Sequence, residues 1–245
     1  MNKTRLFLPI FASVALAACT GETDDADADT ELEVATTEGE AGALASAVEA
    51  GDFMQLQLGP KIVGPQGPEV TGTLSNEAGN FADIRSYVAC PADMQTCDPA
   101  TAPEGTVYTY VHVVTPGSDN NAQTGEGSGA SASHVERAFA FMMNRPATGF
   151  TGKAGYAQAE ARSAMGESGQ AIITCEDGKL IWTLDSGDGG DQWEHMEPVT
   201  FYWQSTVPPA GPAPAYEIRA DYTAATGSGP YPGEAAGASN ACMRG

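Results

Sequence analysis

The chain has 245 residues, with 11 Lys and Arg against 32 Asp and Glu, which gives a formal net charge of −21. This charge argues against nucleic acid and anionic lipid surfaces as partners, because both repel a strongly acidic protein. The length suits one folded domain together with flanking segments.

The first 18 residues have the pattern of an export signal. Lys3 and Arg5 give a positive start, and an apolar run follows from Leu6 to Ala18. As a helix this run covers about 20 Å, which is shorter than a bilayer core of about 30 Å. The pattern therefore predicts a cleaved signal peptide over residues 1–18.

The end of this run, Leu16-Ala17-Ala18-Cys19, resembles the lipobox of bacterial lipoproteins. The resemblance implies that diacylglycerol is attached to the Cys19 sulfur, that the chain is cut before Cys19, and that a fatty acid such as palmitate acylates the new amino group. Several acyl chains hold a protein on a membrane far more firmly than one. The residue after Cys19 is Thr20 and not Asp, which resembles the default pattern for outer-membrane sorting of Gram-negative lipoproteins. Whether the domain then faces the periplasm or the exterior stays open.

Residues 19–50 are predicted to form a lipidated, acidic and disordered tether. From Thr20 to Asp52 there are eleven Asp and Glu residues, no Lys or Arg and no aromatic residue. Such a segment repels itself and buries too little apolar surface to offset the entropy of ordering. Residues 51–245 are predicted to form a single β-rich domain.

Short β-rich runs separated by Gly and Pro dominate this domain. In 106–114, Tyr108, Tyr110, His112 and Val114 alternate with Val107, Thr109, Val111 and Val113, which is typical of a strand. Asp177-Gly178 predicts a tight type I′ hairpin. The predicted strands are 53–58, 81–89, 106–114, 135–143, 170–175, 179–184, 198–205 and 215–222, and the one predicted helix is 153–165, ended by Gly166.

These elements show no alternating β-α pattern, so a parallel sheet is not expected. They predict a mostly β fold, namely an antiparallel β-sandwich of about eight strands with one short helix. The likeness to immunoglobulin and fibronectin domains concerns architecture alone, because no Cys…Trp…Cys core pattern is present.

Four cysteines remain after Cys19. In an exported domain four cysteines usually form two disulfides, and three pairings are possible. We predict Cys90–Cys97 and Cys175–Cys242. A zinc site is the alternative, but these spacings lack the rhythm of zinc ligands.

Two features are candidates for ligand binding. Asp185, Asp188 and Asp191 lie on a Gly-rich loop, and carboxylates of this kind suit Ca²⁺, although the spacing is not that of an EF-hand and a solvated turn is the alternative. The second feature is a set of rings that either stack on a glycan or peptide or fill the core: Trp182, Trp193, Tyr202 and Trp203.

The sequence contains no Gly-x-Ser-x-Gly elbow and no phosphate-binding loop. His112 fits a strand, His134 follows a polar loop, and His195 is either a loop residue or a metal or acid–base group. We therefore expect a non-catalytic envelope module for binding or structural support, with a glycan or a protein as its partner. The alternatives are a periplasmic binding or assembly accessory protein and a carbohydrate-active or other hydrolase that uses carboxylates.

Overall fold

The computed structural model describes residues 46–64, 69–117 and 134–243. The chain divides into two units, residues 1–41 and 42–245, and all described residues lie in the second. Thirteen strands and one α-helix are described: β1 Ser46–Val48, β2 Ala50–Asp52, β3 Leu58–Lys61, β4 Val70–Asn76, β5 Gly79–Pro91, β6 Tyr108–Pro116, β7 Ala138–Met143, β8 Phe150–Tyr156, α1 Gln158–Met165, β9 Gln170–Glu176, β10 Lys179–Asp185, β11 Val199–Ser205, β12 Pro209–Ala220 and β13 Thr223–Pro232. No described helix is both long enough and apolar enough to cross a bilayer.

The strands form one sheet rather than the two sheets of the predicted sandwich. Their order is β1-β9-β10-β7-β12-β13-β4-β5-β6-β11-β8-β2, and β3 pairs with β5 outside this path. The mostly β prediction is confirmed, but the eight-strand sandwich is wrong, because the sheet is nearly closed and barrel-like. Alternating strands fit either architecture, since both have one face turned to a core.

The segment from Ser46 to Asp52 closes this sheet. Its first half, β1, pairs antiparallel with β9, and its second half, β2, pairs in parallel with β8 at the opposite end of the strand order. Gly51 lies beside Gly155 in this pairing, and a Cβ on Gly155 would overlap the Gly51 carbonyl. The folded part thus includes residues 46–50, which the sequence analysis assigns to the tether.

The inward faces meet in an aromatic core. Phe141 of β7 stacks on Phe201 of β11 with ring centroids 5.0 Å apart, although these strands are not neighbours in the sheet. Trp182 of β10 donates its indole N–H to the Gly155 carbonyl of β8 at 3.0 Å. Because residues from opposite arcs of the sheet touch, the interior is filled by side chains.

Several predicted elements are confirmed. The face of β6 that carries Tyr108, Tyr110 and His112 is buried. The hairpin of β9 and β10 turns at Asp177 and Gly178, whose φ angles are 50° and 76°, as a type I′ turn requires. Gly166 ends the helix.

Other elements differ from the prediction. Residues 53–55 form a 3₁₀ turn before β3, so the strand predicted over 53–58 is wrong. The predicted helix is β8 over its first part and α1 only from Gln158. Strand β12 begins at Pro209, six residues before the strand predicted over 215–222. It pairs with β13 from Pro209 but with β7 only from Tyr216 onward. The edge of residues 209–214 away from β13 therefore needs no N–H donors, which proline lacks.

Both predicted disulfides are confirmed. Cys90 and Cys97 lie 5.5 Å apart between Cα atoms, and Cys175 and Cys242 lie 5.1 Å apart. Ser46 is the register partner of Cys175. Both disulfides and the first described residue therefore lie at one end of the sheet, which we call the disulfide end.

The opposite end, which we call the loop end, carries the connections that hold most of the polar motifs. These are the turn at 77–78, residues 117 and 134–137 between β6 and β7, the segment with α1 between β8 and β9, residues 186–198 between β10 and β11, and the turn at 221–222. Register places them together, since Pro116 pairs with Ala82, Asp185 with Gln170 and Ala220 with Ala138.

Candidate functional site

The predicted calcium loop lies at the loop end, but its carboxylates have different surroundings. Asp185 accepts a hydrogen bond from the Gly187 N–H at 2.9 Å, and Asp191 accepts one from the Gln192 N–H at 2.9 Å. Both line a pocket of about 90 Å³, whereas Asp188 is exposed and does not line it. Calcium binding at these three residues stays a prediction, which the melting temperature in excess Ca²⁺ or chelator tests.

The four predicted aromatic ligand-binding residues are buried. Trp182 and Trp203 are 0 % exposed, Trp193 is 1 % exposed and Tyr202 is 3 % exposed. Trp193 donates its indole N–H to the Glu197 carbonyl at 2.7 Å and packs against Phe201, so it covers the core at the loop end. In this structure the four rings pack against the protein itself, as expected if they fill the core and do not stack on a ligand.

Two carboxylates that the sequence analysis did not single out share a pocket of about 240 Å³ at the loop end. Glu160 comes from α1 and Glu197 from the loop before β11, together with Ser163, Ala164, Met196 and Pro198. A glutamate in a short helix and a glutamate in a loop carry no spacing signal that links them. Only the fold brings them into one pocket.

The two carboxylates have different environments. Glu160 accepts a hydrogen bond from the Thr200 N–H at 2.7 Å, and Glu197 accepts one from the Glu194 N–H at 2.9 Å. Burial raises the pKa of Glu197, and repulsion from Glu194 and Asp191 raises it further against the lowering effect of its backbone hydrogen bond. Glu197 therefore holds a proton more readily than a free glutamate does.

Met196 forms part of the rim of this pocket in an unusual conformation. Its φ angle is 68°, and its side chain is 57 % exposed. Its N–H donates to the Pro116 carbonyl at 2.9 Å, which ties the loop to the end of β6. A left-handed backbone at a residue with a long side chain is strained, and such strain is concentrated at functional sites.

His134 and His195 lie side by side next to this rim. Their ring centroids are 5.0 Å apart, with an angle of 40° between the planes. The two residues come from different connections and are far apart in the sequence. No sequence spacing links them, so only the fold reveals the pair.

The third histidine, His112, belongs to the core. Its Nδ1 lies 2.9 Å from the Ser86 Oγ, and both side chains are 0 % exposed. Burial lowers the pKa of His112 to about 3, so the ring is neutral. No substrate reaches Ser86 in this arrangement, although the residue types are those of a nucleophile and its base.

No family model, curated protein or solved structure matches the chain. The loop end holds a carboxylate pocket, a histidine pair and the acidic loop at one end of the sheet. Within the described ranges, no group of three or more His, Cys, Asp or Glu side chains is arranged to hold a metal ion.

Proposed function

We propose that the protein is a lipid-anchored lipoprotein of the cell envelope, attached to the outer membrane through Cys19. Its β domain then serves in binding or structural support without catalysis. The observation that carries this proposal is the sequence Leu16-Ala17-Ala18-Cys19 after a charged and apolar start. The two disulfides support it, because they persist in compartments outside the reducing cytosol.

We further propose that the loop end is the surface that meets a partner. The chain enters the sheet at Ser46, at the disulfide end, so the loop end is the part of the domain farthest from this entry. Exposed Tyr222 and Met196 supply apolar contact area there, at 89 % and 57 % exposure. Asp185, Glu194 and Glu197 give the same end an acidic character, which favours a cationic partner.

The anchor is tested by replacing Cys19 with serine and following the protein through detergent partitioning and mass spectrometry. The unmodified protein is expected in the detergent phase with the mass of acyl chains, and Cys19→Ser is expected in the aqueous phase without them. Thr20→Ser serves as the matched control, since it leaves the cysteine in place. If Cys19→Ser keeps the same mass, processing and membrane association, lipid attachment at Cys19 is excluded.

A carboxylate-dependent hydrolase of the envelope is the second candidate, and the pocket of Glu160 and Glu197 favours it. The raised pKa of Glu197 suits a general acid, and Glu160, held by the Thr200 N–H, suits the second carboxylate. On envelope glycans, Glu197→Gln is expected to lower hydrolysis by about 10²–10⁴-fold, whereas Glu167→Gln, which removes an exposed carboxylate of the same end, leaves it nearly unchanged. Absence of hydrolysis by the unmodified protein on these glycans counts against this candidate.

A further inference from the structure

The loop end brings together the two histidines that lie outside the core, and their spacing is that of two ligands of one ion. With metal–nitrogen bonds of about 2.0–2.1 Å, two imidazoles on one tetrahedral ion have ring centroids about 5 Å apart. The centroids of His134 and His195 are 5.0 Å apart. We propose that these two residues bind one divalent transition-metal ion, Zn²⁺ or Cu²⁺, through their ring nitrogens.

The position of His195 is fixed by the backbone around it. Its N–H donates to the Val135 carbonyl at 3.1 Å, which links it to the residue after His134. The next residue, Met196, is tied to Pro116 by a second backbone hydrogen bond. These two bonds set the distance between the segments that carry the rings, so little ordering is needed when an ion binds.

Packing leaves only one ring nitrogen of His195 accessible to an ion. Its Nδ1 is buried and has no hydrogen-bond partner among the described residues. It faces Gly117, where a Cβ would overlap it, and the φ angle of 70° at Gly117 independently favours glycine. The ion therefore binds His195 through Nε2.

The chemistry of the neighbourhood suits a cation of this class. Imidazole nitrogen is a preferred ligand of Zn²⁺ and Cu²⁺, whereas Ca²⁺ prefers oxygen. Asp191 and Glu194 lie on the same loop as His195, and Asp185 and Arg137 line the neighbouring pocket together with Asp191. With two protein ligands, the remaining positions of a tetrahedral ion are left to water.

The described cysteines and the third histidine are not available to such a metal. Cys90, Cys97, Cys175 and Cys242 form disulfides, and His112 is fully buried beside Ser86. Nitrogen ligands from histidine in the described part of the chain can therefore come only from His134 and His195. This inference does not depend on the anchor, so its failure would leave the proposed attachment through Cys19 unaffected.

The test uses the full-length protein in detergent, purified without a histidine tag, and titrates it with Zn²⁺ by calorimetry and with Cu²⁺ by electron paramagnetic resonance. One ion per chain is expected, and the Cu²⁺ spectrum is expected to show coupling to two nitrogens. His134→Gln and His195→Gln should each weaken binding at least about tenfold and leave coupling to one nitrogen. The double variant should lose the Cu²⁺ nitrogen signal.

Glu77→Gln is the matched control, because it removes an exposed carboxylate of the same end, in the turn between β4 and β5, and leaves both rings. It should change Zn²⁺ affinity by less than about threefold. The melting temperatures of all variants in chelator show whether the fold is retained, and both rings are outside the core. Binding that survives in the double variant, binding lost in Glu77→Gln, or Cu²⁺ without nitrogen coupling would each overturn the proposal.

Discussion

The two disulfides are expected to differ in their contribution to stability, because they close loops of different length. Cys90–Cys97 spans 7 residues and Cys175–Cys242 spans 67. Chain entropy then gives about 2.5 kcal/mol for the short loop and about 4.4 kcal/mol for the long one. Replacing each pair by alanine removes two sulfur atoms in both cases, so the difference of about 2 kcal/mol reports mainly on loop closure.

Urea denaturation of the two double variants, Cys90→Ala/Cys97→Ala and Cys175→Ala/Cys242→Ala, measures this difference. At a slope of about 2 kcal/mol/M, the midpoint should fall by about 1.2 M for the short-loop variant and about 2.2 M for the long-loop variant. Tryptophan fluorescence is a suitable signal, since Trp182, Trp193 and Trp203 are all buried. Equal losses, or a larger loss for the short loop, would refute the argument from loop length.

Three further predictions concern the turn at 221–222 and the core. Asp221 accepts hydrogen bonds from the Glu136 and Arg137 N–H groups at 3.0 Å each. Because both bonds are exposed, Asp221→Ala should lower the free energy of unfolding by about 1–2 kcal/mol in a urea titration, and Asp221→Asn, which keeps the acceptor oxygen, should change it little. Tyr222 is 89 % exposed with a φ angle of 64°, so Tyr222→Gly should raise the melting temperature, with a gain of about 0.5–1 kcal/mol, and a lower melting temperature would contradict this. The pKa of His112 is about 3 in the folded protein, below its ordinary value of 6.5, so the unfolded chain binds the proton first as pH falls. The contribution of His112 to stability is therefore complete above pH 6.5 and falls by about 1.4 kcal/mol per pH unit as pH drops toward 3. The His112→Gln variant should lack this contribution to the slope in the same titrations.

The sequence predicted the elements whose signal is local. β6 alternates β-branched and aromatic residues between its two faces, and Asp177-Gly178 specifies its turn by itself. In contrast, β8 reads Phe-Thr-Gly-Lys-Ala-Gly-Tyr, and its last four residues, 153–156, fall in the segment that its alanines predict as a helix. Gly155 is needed there because β2 packs against it, and no local pattern announces a partner that far away in the chain.

Local sequence patterns predict neither the nearly closed sheet nor the grouping of residues at the loop end, and the reason is the same for both. Closure depends on the strands Ser46–Val48 and Ala50–Asp52, which lie in a segment whose acidic composition predicts a tether. The histidine pair joins residues 134 and 195, and the carboxylate pocket joins residues 160 and 197. Each pair depends on which strands become neighbours, and strand alternation does not encode that choice.

The way the chain enters the sheet has a mechanical consequence. A pull on the chain before Ser46 would act along β1, and the hydrogen bonds that join β1 to β9 run perpendicular to the strands. Such a pull shears these bonds together instead of peeling them one at a time. Cys175 of β9 is the register partner of Ser46 and is covalently bonded to Cys242. Strand β9 is therefore held by a covalent bond at the position where the force from β1 is applied.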